Sequence, residues 1–199
     1  MTARTHVGDE MQARLMTIPS EPAIDPIVAM VQDGRHHDAI AACARTHGAI
    51  LGRLCMALLG SQADADEATQ ETLLRAHRSM TTYRGEGSIK AWLCGIARHV
   101  CAHMLETRRR GREVAELVPV PDDSDGRNEL HARQRARALR TALGQLKPSE
   151  RDVLVLRFVA DLNHREIALA SNLDEATARK RLSRALARLR SVVPLEELS

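Results

Sequence analysis

Between Ile89 and Met104 the apolar residues Ile89, Trp92, Leu93, Ile96, Ala97, Val100 and Met104 return at three- and four-residue steps. That spacing is the stripe of an amphipathic helix, and Ser88 stands at its head as an N-cap. A narrower stripe of Ala65, Ala68, Leu73 and Ala76 predicts a helix before it, capped by Ser61 with Asp64 at the third helical position. Gly85 and Gly87 are read as the end of that earlier helix. Upstream, Asp25-Pro26 predicts a cap and first-position proline for a short helix through Val31 that stops at Gly34. A longer helix is predicted from about His37 to Leu59, with Gly48 marking a break in its middle and Gly60 closing it. Residues 1–24, which contain Pro19 and Pro22 and no sustained period, are read as a mobile tail.

From Glu113 to Asn128 the periodicity collapses into two prolines, a glycine and three aspartates, which predicts a linker between two domains. Residues 25–112 form the first domain and 129–199 the second. In the second, Leu139, Leu143 and Leu146 line a helix that ends before Pro148. Ser149 with Asp152 predicts a capping box for the next helix, whose Val153, Leu154, Leu156 and Phe158 are expected in the core. Asn163 with Glu166 repeats the device for a short helix carrying Ile167 and Ala168. Asn172 suits a left-handed turn, and Asp174 caps a last long helix. On that helix Ala178, Leu182, Ala185, Leu186 and Leu189 share one face, and Lys180, Arg181, Arg184 and Arg188 fall opposite. A short helix, a tight turn and a longer basic helix make a helix-turn-helix, which seats its second helix in a DNA major groove.

Composition agrees with an all-α chain. Apolar residues are 44% of the sequence and aromatics 2%, so the cores are aliphatic, which suits helices better than a β-sandwich or barrel. The net charge of +3 is modest and its position matters more. Asp64, Asp66, Glu67 and Glu71 crowd one helix, whereas Arg98, Arg108, Arg109, Arg110 and Arg112 crowd the next. Between them lie Tyr83 and Trp92, two of the three aromatic residues. The four cysteines show no CxxC pair and no zinc-finger spacing. Cys94, His99, Cys101 and His103 on one helix raise a metal or redox site, but buried cysteines are ordinary apolar residues and no metal is assigned. No Ser/His/Asp set, P-loop or HExxH motif is present, so the chain is not read as an enzyme and no cofactor is expected. Neither a signal peptide nor an apolar run near the ~20 residues of a membrane span appears, and a reduced cytoplasm is expected.

Two segments taken together resemble a bacterial RNA polymerase sigma factor of the extracytoplasmic-function group. DADEATQETLLRAHRSMTTYRGEGSIKAWLCGIARHV is similar to that family's polymerase-binding helix, strand-opening loop and following helix. ALGQLKPSERDVLVLRFVADLNHREIA and TARKRLSRALARLR are similar to its promoter-reading helix-turn-helix. The resemblance covers roughly residues 35–192 and implies two helical domains on a flexible linker. It implies that Asp64, Asp66, Glu67, Gln70 and Glu71 dock on core RNA polymerase, whose β′ and β subunits are the expected partners. The loop Tyr83 to Lys90 would capture an unstacked base of the minus-ten element, with Tyr83, Trp92 and His99 in or beside the pocket and Arg75, Lys90 and Arg98 on phosphates. Thr177, Arg179, Lys180, Arg181 and Arg184 would read the minus-thirty-five element. It further implies promoter DNA as a partner, an anti-sigma inhibitor that can hold the chain at the inner membrane face, and no small-molecule substrate. Ser171, Asn172, Ala178 and Cys94 depart from residues common in the family. The competing reading is an ordinary helix-turn-helix regulator whose first domain senses a metal, a thiol oxidant or a small ligand.

Overall fold

Each predicted helix start can be checked against a side chain that satisfies its first free N–H groups. The computed structural model describes residues 25–114 and 141–192, and every regular element among them is helical. Helix α1, Pro26–Gln32, begins where the Asp25 carboxylate accepts from Ile27 N at 2.9 Å and Pro26 fills the first position. Helix α2, His36–Leu59, runs unbroken through Gly48, against the expected break. A Cβ at Gly48 would meet nothing within 4 Å, so that glycine answers no packing demand and its propensity cost is absorbed by the apolar face around it. Gly60 does end the helix, at φ +75° in the left-handed region.

Helix α3, Gln62–Ser79, is capped by Ser61 as expected. Its buried side chains, Ala65, Ala68, Thr72 and Ala76, are all small, so α3 lies close against α2 and the following long helix. The Thr72 hydroxyl, fully buried, donates to the Ala68 carbonyl at 2.6 Å and leaves no orphaned polar atom. Helix α3 ends at Ser79 and tightens into a 3-10 turn, Met80–Thr82, whose Met80 plugs the core. Gly85 and Gly87 therefore do not terminate α3 but shape the loop beyond it, at φ +73° and +85°. Helix α4, Ile89–Val114, follows, with Ser88 Oγ accepting from Ala91 N at 3.2 Å.

The second module opens on a helical turn at 141–144 that stops before Pro148. Helix α5, Pro148–Phe158, starts two residues earlier than expected because Pro148 suits a first helical position. Glu150, not a Ser149/Asp152 box, accepts from the Lys147 N–H at 3.2 Å, and Asp152 is used elsewhere. Val153, Leu154, Val155 and Leu156 are buried, but Phe158, expected inside, is 65% exposed. Two residues past Leu156 the helix has turned about 200°, which carries Phe158 to the solvent side. Helix α6, His164–Ser171, has the full capping box, with Asn163 Oδ1 accepting from Glu166 N and Glu166 Oε2 accepting from Asn163 N, both at 3.0 Å. Asn172 turns the chain at φ +52°, and Asp174 caps helix α7, Glu175–Val192, through Thr177 N at 2.8 Å. Ala178, Leu182 and Ala185 of α7 are buried against α5 and α6, and Arg188 ties α7 to Glu150 at 3.1 Å.

The expected tail, residues 1–24, lies outside the described residues. So does the expected linker, apart from its first two residues, which continue α4. The two modules are nevertheless in contact. Helix α4 packs on α6 and α2 meets α5, so the buried residues of both modules form one apolar cluster.

The α6 capping box has a direct test. Asn163→Ala should destabilise the second module by about 1 kcal/mol in chemical denaturation, because the Glu166 N–H loses its side-chain acceptor. Asn163→Asp should stay near wild type. Equal stability of all three proteins would remove the box from the account.

Candidate nucleic-acid interface

The acidic residues of α3 do not form one uniform surface. Asp66 and Glu67 are exposed, and Asp66 accepts from Gln62 at 2.8 Å. Asp64, by contrast, is ion-paired to Arg108 of α4, which fastens the two helices together. Glu71 is bridged by Arg75 at 2.6 Å, and that guanidinium holds its carboxyl below the usual range. Glu67, Gln70, Glu71 and Arg75 line a groove of about 370 Å³ with Leu74, His103 and Met104. Leu74 is 52% exposed, so the acid cluster borders an apolar contact point.

The loop after α3 is held by its own tyrosine. Tyr83 Oη donates to the Gly87 carbonyl at 2.9 Å, and its ring meets Trp92 at 5.4 Å between centroids, tilted by 54°. Both aromatic rings pack partly on the core while one side of each faces a pocket of about 320 Å³. His99 joins that pocket, so three of the expected minus-ten residues stand together. Partial burial, and then the neighbouring Arg98, push the His99 imidazole below its ordinary value, which keeps the ring neutral at pH 7. Such a set of faces can stack on a planar ring.

The other minus-ten residues are placed differently. Arg75 belongs to the α3 groove with Glu71. Lys90 and Arg98 lie on α4 facing the second module, where Lys90 Nζ donates to the Asp161 carbonyl at 3.3 Å and Arg98 Nε to the Ala170 carbonyl at 3.2 Å. Arg98 also reaches Asp152 at 3.5 Å. Burial raises the Asp152 carboxyl, with Arg98 opposing that shift. Leu169, Ala170 and Asn172 of the second module form the far wall of the aromatic pocket. No sequence pattern signalled those three residues there.

On α7, Arg179, Lys180 and Arg184 are exposed, and Thr177 and Arg181 are half-buried. Thr177 is engaged in the cap, its hydroxyl donating to Asp174 at 2.6 Å, and Arg179 pairs with Glu175 at 2.8 Å. Lys180 and Arg184 sit four apart on the face opposite buried Ala178, Leu182 and Ala185, as a groove-seated helix requires.

The cysteines point inward. Cys94 and Cys101 are buried in the first module's core while His99 and His103 face out, so the four do not converge. No group of three or more metal-ligating side chains occurs among the described residues. Burial pushes the Cys94 thiol up to about 12 and the Cys43 thiol up to about 11, and Cys101 is raised by its contact with Cys55 and by burial. Protonated, enclosed thiols are packing groups rather than nucleophiles.

These features have counterparts in known proteins. The Sigma-70 region 2 family model matches residues 43–111 and the Sigma-70 region 4 model matches residues 136–189. The chain is 33% identical over 165 residues to the ECF RNA polymerase sigma factor SigG of Mycobacterium tuberculosis, covering 70% of this chain and 45% of that one. It is 30% identical over 131 residues to the ECF RNA polymerase sigma factor SigC of the same species, covering 65% of this chain and 70% of that one. The chain thus spans about half the length of the first of these curated relatives. The fold is shared with CnrH, solved in complex with the cytosolic domain of CnrY, at TM-score 0.63 and 21% identity over 83% of this chain and 93% of that one. It is shared also with RpoE of Bartonella quintana, solved with the anti-sigma factor NepR, at TM-score 0.56 and 23% identity over 78% and 96%.

Proposed function

From its membership in the ECF sigma factors of the sigma-70 family, to which this chain belongs, we infer that it is an alternative sigma factor for a specific set of promoters. It binds core RNA polymerase, recognises minus-ten and minus-thirty-five elements, and starts transcription without itself catalysing a reaction. The observation that carries the reading is the order of three surfaces along one chain. Exposed acids flank an apolar contact on α3, an aromatic pocket follows, and a basic helix-turn-helix face comes last. A regulator that only bound duplex DNA would need the third surface alone.

Each surface has a physical role. Asp66, Glu67, Gln70 and Glu71 offer negative charge beside Leu74 to a basic partner, and Asp64 props the helix by its tie to Arg108. Tyr83, Trp92 and His99 receive a flipped base, whose unstacking costs a few kcal/mol that ring contacts offset. Arg75, Lys90 and Arg98 supply cations for the strand's phosphates. Thr177, Arg179, Lys180, Arg181 and Arg184 face the upstream duplex, and the capped, rigid α6–α7 turn sets their angle of approach.

The domain division follows the same plan. Residues 1–24 precede the polymerase- and minus-ten-binding domain at 25–112, residues 113–128 link, and 129–199 carry the helix-turn-helix. A protein inhibitor is the expected control. RpoE, with which this chain shares its fold, was captured with an anti-sigma factor. A polymerase-binding subunit would work in the cytoplasm, where the polymerase is, and no helix among the described residues is long and apolar enough to cross a membrane.

Lys180→Ala and Arg184→Ala separate base reading from phosphate holding. Loss of a bidentate base contact should weaken promoter affinity by about 1–3 kcal/mol and relax preference at one upstream position. Loss of a phosphate contact should weaken all sequences alike and flatten the salt dependence. Unchanged affinity and salt slope in both variants would remove α7 from the interface. The reading as a whole is tested by co-purification with core polymerase, and failure to bind core would overturn it.

A further inference from the structure

Lys90 and Arg98, two of the three cations assigned to the minus-ten strand, are already occupied, and so is Ser88 beside them. Ser88 Oγ, at the head of α4, donates to the Glu166 carboxylate. Lys90 donates to the Asp161 carbonyl, and Arg98 to the Ala170 carbonyl and the Asp152 carboxylate. Every one of these acceptors belongs to the second module, and two of them are anionic, as phosphate oxygens are. The Arg98 and Asp152 side chains are only 16% and 15% exposed, so the contact excludes most water. Asp161 holds φ +48°, a conformation that disfavours side chains, at the residue whose carbonyl meets Lys90.

Shape agrees with charge. At Gly95 a Cβ would lie 3.2 Å from the Ala170 carbonyl oxygen and 3.3 Å from its Cα, so α4 and α6 approach backbone to backbone. Leu169 Cδ1 stands where a Cβ on Gly87 would fall, 2.5 Å away, so α6 presses on the loop that Tyr83 braces. Leu169, Ala170 and Asn172 close one side of the Tyr83–Trp92–His99 pocket.

We propose that the second module is a built-in competitor for the promoter strand, masking the first module's strand-binding surface in the free chain. Asp152 of α5, the α5–α6 turn and α6 stand in for a single-stranded phosphate backbone, and the strand and the second module bind α4 mutually exclusively. Opening then accompanies loading onto promoter DNA, and the strand's apparent affinity for the free chain is reduced by the fraction that is open. This mechanism rests on the minus-ten assignment made above and needs no inhibitor protein.

The test uses the full chain without polymerase. Donor and acceptor dyes on Ala102→Cys and Ser183→Cys, both exposed, report the separation of the modules, and the four native cysteines are buried from labelling. The probe is a short single-stranded DNA of randomised sequence. The free chain should show high energy transfer that falls saturably as this DNA is added. Glu166→Lys removes the carboxylate that Ser88 meets at the head of α4 and should open the chain and tighten DNA binding by about tenfold. Glu166→Gln keeps an acceptor for the α6 cap and should give a smaller shift in the same direction, which guards against an unfolded lysine variant. Low transfer in the free chain, or equal DNA affinity in the closed and opened proteins, would overturn the masking while leaving the functional reading intact. If neither form binds the single strand, the minus-ten assignment fails and the masking with it.

Discussion

Asp66→Arg combined with Glu67→Arg is expected to abolish association with core RNA polymerase and leave helical content unchanged. Both side chains are exposed on α3, so the exchange leaves the buried stripe of Ala65, Ala68, Thr72 and Ala76 untouched. At the interface the change is large. Two attractions of about 1–4 kcal/mol each at close range are replaced by repulsions of similar size, since each pair is separated by solvent-screened contact distances. Even half of that swing, about 2 kcal/mol at the low end, is about 30-fold in affinity. Surface plasmon resonance on immobilised core enzyme, beside far-ultraviolet circular dichroism, decides the matter. Wild-type affinity in a folded double variant would show that α3 is not the docking helix. Asp64 is the wrong residue for such a test, because its bond to Arg108 mixes docking with the fold of the first module.

Tyr83→Ala should slow strand opening by about 5- to 150-fold, the range given by loss of one base–aromatic contact worth about 1–3 kcal/mol. Two further losses act in the same direction. The ring's tilted contact with Trp92 disappears, and so does the hydroxyl's bond to the Gly87 carbonyl that shapes the loop. Tyr83→Phe separates them, since it keeps the ring and removes only the bond. Permanganate reactivity of promoter thymines in the reconstituted holoenzyme gives the readout. Phenylalanine should retain most opening and alanine little. Equal opening in both variants and wild type would take Tyr83 out of the base pocket.

Much of this was legible because it is local. Ser61, Ser88, Asn163 and Asp174 each cap the helix that follows within a few residues, and the chain announces them by residue type and spacing. The acid cluster, the aromatic pair and the basic face of α7 are likewise short-range patterns. Phe158 lies outside the core it was expected to join because apolar character does not specify a face at the last position of a helix. Pro148 and Glu150 capped α5 where Ser149 and Asp152 were expected, since two valid signals competed within one turn. Asp152 was instead drawn to Arg98, 54 residues earlier.

The contact between the modules was not legible at all. Ser88 meets Glu166 across 78 residues, and neither residue is unusual in its own helix. The use of Gly95 as a contact point for Ala170 emerges only when α4 and α6 are brought together. Pairings of that kind depend on tertiary geometry that periodicity does not encode.

Run-off transcription addresses the central claim most directly. Purified core RNA polymerase, this chain and a library of promoter fragments should together yield transcripts from defined start sites preceded by shared minus-ten and minus-thirty-five sequences. Core alone should yield none from those sites. Transcripts that do not depend on the chain, or a chain that binds core and never directs initiation, would contradict the account.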